Sequence, residues 1–423
     1  LVCLVGSEMC IRDSSTTIKR NGQGQYSWEM NSDILIDNIL SYDKKHTSLT
    51  TSDKIHFFRN AYISALEDKE CRTQEATYKK AFHNYEKECA KILMNKQKFK
   101  IITSVSMTLK SGILKSRTIN ECNLKFYNEL PKAARRKRDV VFDNTKEYKN
   151  LYEKEEVPQH TYVVITVDAH NEQAAITKAL NVLSVYRALV QLSFIKSISF
   201  LAWKHEDRYP SSSKIKTGRF HTLHSADFKP NEKSAFWYEK EYEPSTTRQI
   251  DVKPLDDLLD TFLKRYRNSN IQEHIKKCLI LYIEALDIND GEFRFTKLWS
   301  VFEVLLSADN TSELSKRISS FYIDKELTVE KMKASREVRN RAMHAGINGN
   351  DYSIKCFELM NVFENCIKLY LSNPFRFKTV SDFNDFVSSP RQLEDIDSRI
   401  ETLKIAKKYC CLLYTSDAAD DTC

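Results

Sequence analysis

Apolar positions alternate between helical and extended spacing along the chain. Between Asp33 and Gln97 they keep helical spacing, with Ile34, Ile36, Ile39 and Leu40 opening the pattern and Phe57, Tyr62, Ile63 and Leu66 continuing it, which predicts a helical lead-in. Phe99 to Leu109 (FKIITSVSMTL) then concentrates β-branched residues. Tyr162 to Val167 (YVVITV) is a short apolar run closed by Asp168, Ala169 and His170, so both segments predict strands. From Asn171 to Val190, Ala175, Ala179, Val182, Leu183, Tyr186 and Val190 return to one helical face. Strand, turn and helix in that order predict a small α/β or α+β domain.

Tyr209 to Thr217 and Pro230 to Pro254 are polar, turn-rich and hold four of the eight prolines, which predicts a domain boundary near Asp251. Beyond it the helical period takes over. Ile271, Ile275, Cys278, Leu279, Tyr282 and Leu286 form one stripe, ended by Asn289, Asp290 and Gly291. Phe295, Leu298, Trp299, Phe302, Leu305 and Leu306 form another, and Leu314, Ile318, Phe321 and Tyr322 a shorter third. Val329 to His344 predicts a further helix, stopped by Ala345 and Gly346 in a left-handed cap. Ile354, Phe357, Met360, Phe363, Cys366, Ile367 and Tyr370 predict a long helix that Asn373 and Pro374 close. Short connections between such one-sided helices predict an antiparallel bundle. A last helix, marked by Leu393, Ile396, Ile400 and Leu403, either packs across the bundle or serves a partner chain. The predicted organisation is therefore α+β: a helical lead-in at 15–97, an α/β or α+β domain at 98–250, an all-α bundle at 251–375 and a helical tail at 376–409.

Composition changes this picture at the ends and in what it excludes. Residues 1–14 (LVCLVGSEMCIRDS) and 410–423 (CCLLYTSDAADDTC) resemble translated sequencing adapter and are expected to be non-native; a signal peptide fits the first poorly, because Gly6, Ser7 and Glu8 break its apolar run. A chain of 423 residues with 41% hydrophobic content supports two or three cored domains. No run of apolar residues is long enough to span a bilayer, so no membrane partner and a cytoplasmic location are expected. The eleven cysteines contain no CxxC pair and read as reduced thiols. A formal charge of +7 permits an anionic partner without requiring one. The densest basic run, Lys132 to Arg138 (KAARRKR), reads as a solvated connection between strands; a phosphate patch is the alternative, without an aromatic platform beside it.

The chemistry-bearing segment is Arg339, Asn340, Arg341, Ala342, Met343, His344. An arginine and a histidine at this spacing are common, so the context carries the weight: the end of a bundle helix, an Asn directly after the arginine, and a preceding helix bearing Trp299, Phe302, Glu303 and Leu305. Together these residues resemble the HEPN superfamily and, within it, the ApeA-like branch, over roughly Asp251 to Leu371. The segment from Phe99 to about Val190 is similar to the amino-terminal part that accompanies such domains.

That resemblance implies a homodimer in which two such motifs face each other and cleave RNA, with tRNA as one candidate, in anti-phage abortive infection or toxin–antitoxin defence under a neutralising partner protein. It implies no cofactor and no metal. Arg339 would hold the scissile phosphate, His344 would move protons, and Asn340 would orient them; Arg336 and Arg341 match no motif position. The chemistry is consistent with these roles, since attack by the ribose 2′ hydroxyl needs a group that exchanges protons near neutrality and a fixed cation where the phosphorane gathers charge. Residues five apart on a helix diverge by about 140°, which suits a site shared between two chains. The competing reading is structural: Arg339 paired with Glu337 or Glu303, His344 capping the helix end, and the bundle a catalytically inactive RNA-binding or dimerisation module.

Other chemistry is poorly supported. His221 and His224 lack a recognisable set of co-ligands. Asp256, Asp257 and Asp260 sit on an amphipathic helix and read as solvated. No phosphate-cradling glycine loop and no nucleotidyltransferase signature occurs.

Overall fold

The structure is a computed structural model that describes residues 18–20, 26–28, 36, 40, 43, 45 and 46 and, from 49 to 420, all but 69–72, 111, 144–145, 156–159, 195–208, 227–234, 240–241, 243–246, 309, 323, 346–351 and 391; for 18–20, 26–28, 74, 146–148, 154–155, 311, 341–345 and 412–420 it describes the backbone alone. The chain divides into two compact units, one of Leu1–Val182 with Thr217–Thr247, the other of Leu183–Lys216 with Arg248–Cys423.

The first unit opens with two paired strands, β1 (Ile18–Arg20) and β2 (Tyr26–Trp28), followed by the helices α1 (Thr51–Leu66) and α2 (Gln74–Met94). A reciprocal Thr50–Asp53 capping box starts α1. Its inner face, Phe58, Ala61, Tyr62 and Ala65, closes on Ala81, Tyr85 and Cys89, and Ile36 and Leu40 join the same core. Ile34 and Ile39 lie outside the described residues.

β3 (Gln97–Val105), β4 (Met107–Leu109), β5 (Arg117–Ile119) and β6 (Cys122–Tyr127) come next, so the predicted single strand at Phe99–Leu109 is broken at Ser106. After α3 (Lys132–Asp143) and α4 (Lys146–Glu155) the chain forms β7 (Thr161–Ala169) and α5 (Glu172–Gln191), then β8 (Phe220–Ser225) and β9 (Ala235–Tyr238). Six of these strands make one sheet in the order β5-β6-β7-β3-β8-β9. Every neighbouring pair is antiparallel, with Ile101 of β3 opposite Ile165 on one side and Leu223 on the other. An antiparallel sheet accompanied by helices is the α+β arrangement.

The basic run at Lys132–Arg138 corrects an expectation. It is the first half of α3, and it is not uniformly solvated: Arg135 and Arg136 are exposed, whereas Arg138 is fully buried. Its guanidinium donates to the carbonyls of Ile102 (3.0 Å) and Phe220 (3.2 Å) and lies 5.6–5.7 Å from the ring centres of Phe142, Tyr152 and Tyr162. Helical spacing puts Ala134, Arg138 and Val141 on one face, which seats the long side chain against the sheet. The aromatic partners absent from the run itself come from other elements.

The second unit carries β10 (Arg248–Ile250) and then only helices: α6 (Val252–Arg267), α7 (Gln272–Asp287), α8 (Gly291–Leu305), α9 (Thr311–Ser319), α10 (Lys325–Ala345), α11 (Ser353–Ser372), α12 (Val380–Ser388) and α13 (Leu393–Asp420). Asp290 caps α8 by accepting from the Phe293 amide, and Asn373, at φ 35°, ends α11 in the left-handed region. Phe295, Trp299 and Phe302 of α8 and Tyr282 of α7 are fully buried, and Tyr282 stacks on Phe363 of α11 at 4.1 Å. α8 packs on α7, α10 and α11, and α9 packs on α10 and α12.

Three details depart from expectation. Asp256 is buried, because it occupies the inner side of α6 beside Leu255 and Leu259. α12 falls within the helical tail expected at 376–409 but is a separate helix that joins the core: the Thr379–Asp382 capping box starts it and Phe383 anchors it, 3.7 Å from the Tyr370 ring centre. α13 leaves Leu393, Ile400 and Leu403 exposed, so packing across the bundle is not what those residues do. Among the described residues no helix is long and apolar enough to cross a membrane.

Candidate active site

α10 sets the geometry. Asp324 begins it, accepting from the Leu327 amide at 2.9 Å while its carbonyl accepts from the Thr328 hydroxyl. Met332 and Ser335 are buried at helical spacing, and Arg339 follows Ser335 by one turn, so its side chain leaves the helix from the inner face near the outlet of the core. The result is an arginine only 31% exposed, with Nη2 3.7 Å from Glu303 Oε1 on α8.

Glu303 is itself held. The indole N–H of fully buried Trp299, one turn earlier on α8, donates to the same Oε1 at 3.0 Å. Trp299 thus belongs to the core, as its place in the apolar stripe suggested, and its polar edge finds a buried partner there. One carboxylate oxygen ties a core tryptophan to the guanidinium. The separation of 3.7 Å gives attraction without a hydrogen bond, and a guanidinium has five N–H donors, so most of Arg339's donor capacity is not consumed by Glu303.

Asn340 is half-buried and lies on a different line of the helix, the one through Val329, Lys333 and Arg336. His344 lies one turn further along that line by backbone position, in the final turn of α10. Its side chain and the cap expected at Gly346 lie outside the described residues, as does the side chain of Arg341. The structure therefore brings Arg339 to Glu303, the partner that the structural alternative named, and puts Asn340 and the His344 backbone on the neighbouring face. Arg336, which matches no motif position, borders a cavity of about 680 Å³ between α9, α10 and α12. That cavity has no signature in the sequence, because serines and a lysine on one face of a helix ordinarily meet water.

The other candidates are occupied inside the first unit. His221 is buried, with Nδ1 2.8 Å from the Thr103 hydroxyl, Nε2 3.5 Å from Glu239, and its ring stacked on Trp237. His224 is buried, with Nε2 2.9 Å from the Thr222 hydroxyl; burial, and then the charges of Arg138, Lys137 and Lys100, push its pKa down to about 4. It stays neutral through most of the acidic range. Among the described residues no three His, Cys, Asp or Glu side chains converge as a metal site would require.

No protein-family model, no curated protein and no solved structure matches the chain.

Proposed function

We propose that this chain is an endoribonuclease of the HEPN type, resembling the ApeA-like branch, that acts without a metal in bacterial anti-phage or toxin–antitoxin defence. Arg339 holds the scissile phosphate, His344 exchanges protons with the 2′ hydroxyl and the leaving oxygen, and Asn340 orients them. RNA, with tRNA one candidate, is the substrate; two copies face each other through the helical bundle in the cytoplasm, and a neutralising protein restrains them.

The observation that supports this best is the setting of Arg339: a third exposed, positioned by Glu303 and Trp299, and with donors to spare for a phosphate. Arg339→Ala and His344→Ala, compared with the parent for cleavage of total RNA in excess chelator, are each expected to lower the rate by about 10² to 10⁴. Unchanged cleavage by His344→Ala excludes the enzymatic assignment.

The same contact favours a second reading, in which the pair is structural and the bundle is an inert RNA-binding or dimerisation module. Glu303→Gln separates the two. If Arg339 only braces the bundle, Arg339→Ala and Glu303→Gln each lower stability by at most about 1 kcal/mol and nothing else changes. If Arg339 grips phosphate, Glu303→Gln leaves a working cation in place and retains most of the cleavage that Arg339→Ala abolishes.

A further inference from the structure

The cavity between α9, α10 and α12 is built unlike the rest of the bundle. α9 turns Ser312, Ser315, Lys316 and Ser319 toward it, residues that share one helical face, and α10 contributes Lys325, Lys333 and Arg336 from the opposite wall. Two carboxylates, Glu326 and Glu330, also line it, and Glu330 already accepts from Lys333 at 2.7 Å. Cations therefore outnumber carboxylates. Among the described residues the charged groups of Lys316, Lys325 and Arg336 have no hydrogen-bond or ion-pair partner, so three of the four cations face the cavity uncommitted.

Ser315 supplies an independent sign. It is only 4% exposed, it lines the cavity, and its hydroxyl oxygen is buried with no hydrogen-bond partner among the described residues. A helical serine can ordinarily satisfy itself on a backbone carbonyl one turn back, as Ser320 does on Arg317. An unpartnered buried hydroxyl is costly enough to require an explanation, and a bound acceptor is the simplest one beside three free cations.

We propose that this cavity binds a phosphoryl group. Its three oxygens accept several hydrogen bonds at once and carry the charge that Lys316, Lys325 and Arg336 complement, with the Ser315 hydroxyl donating. The volume of about 680 Å³ exceeds a bare phosphate and suits a nucleotide or a stretch of nucleic-acid backbone. Among the lining residues there is no aromatic ring to stack a base, so recognition is of the phosphate and not of base identity. Arg336 precedes Asn340 by four residues and His344 by eight on nearly one line, rises of about 6 Å and about 12 Å. A polynucleotide phosphate here would continue toward the tip of α10. The assignment does not depend on cleavage.

The test uses the full chain in a phosphate-free buffer at low salt. Calorimetry measures binding of inorganic phosphate, adenosine monophosphate and a short single-stranded RNA to the parent, to Ser315→Ala and to the double variant Lys316→Ala/Lys325→Ala. Saturable phosphate binding is expected in the parent. Ser315→Ala should weaken it about tenfold and the double variant more. Monophosphate that competes with phosphate while RNA does not identifies a free nucleotide as the source; RNA that competes, and weakens in the same variants, identifies a polynucleotide. No saturable phosphate binding, or binding indifferent to both cavity variants, overturns the proposal whether or not the chain cleaves RNA.

Discussion

Neighbouring arginines in one basic run have opposite environments. Arg135 and Arg136 are in water, where substitution ordinarily shifts stability by less than about 0.5 kcal/mol. Arg138 is sealed among three aromatic rings and two backbone carbonyls, so Arg138→Ala removes packing and hydrogen bonds together and leaves the Ile102 and Phe220 carbonyls short of a donor. Arg138→Ala is expected to cost about 3 kcal/mol or more in urea unfolding, and Arg135→Ala and Arg136→Ala next to nothing. Equal effects from all three would mean that the run acts as a patch and not through one anchored side chain. Nothing in KAARRKR itself distinguishes its third arginine. The helical register does, by putting position 138 four residues after the buried Ala134, but only once the run is recognised as helix. The same limit applied at Asp256, which the register of α6 carries inward.

At the scale of elements, legibility followed how much apolar signal each segment holds. α7, α8 and α11 repeat large apolar residues over four turns or more and could be read directly. β6 (CNLKFY) alternates buried and open positions and could have been found by its period of two. β8 (FHTLHS) could not, since it buries His221, Thr222 and His224 beside its apolar residues and so shows no alternation. α12 is short, with two buried apolar residues, yet Thr379 and Asp382 spell a capping box that identifies its start. That cap has a measurable role. Thr379→Ala removes the hydroxyl that accepts from the Asp382 amide and should destabilise the second unit by about 1 kcal/mol. Asp382→Asn, which keeps a side-chain oxygen for the Thr379 amide, should cost less. Because Phe383 rests on Tyr370, fraying of α12 should also appear as faster amide exchange at the end of α11. The candidate site divides along similar lines. Position and helix end were legible for Arg339, Asn340 and the His344 backbone; the cavity was not, because serine and lysine on a helix normally face water.

For the whole molecule, the predicted boundary at Asp251 coincides with the start of α6, but the contacts do not follow the chain there. Leu183–Lys216 belongs with the second unit, and the reason is a set of polar ties within it. Arg187, almost wholly buried, donates to the Ile215 carbonyl at 2.9 Å and pairs with Asp287 at 2.6 Å. The Ser213 amide donates to the Leu286 carbonyl, and Arg294 reaches the Ser211 hydroxyl at 3.1 Å. These partners cluster where α7 ends and α8 begins, the turn that orients the Trp299–Glu303 helix beneath Arg339. A fragment beginning at Asp251 lacks every one of these ties to 183–216, and with them the Tyr209 ring that meets Phe357 at 5.9 Å. It is expected to unfold at lower denaturant than the corresponding transition of the full chain, whereas a cut at a boundary without such ties would leave that transition unmoved. Asp287→Ala in the full chain isolates the polar part, since it strands the buried Arg187 guanidinium; with Asp287 itself a third exposed, a loss of about 2 kcal/mol is expected. If the fragment matches the full chain and Asp287→Ala is neutral, Leu183–Lys216 is a passive strap, and the α7–α8 turn must take its shape from the helices alone.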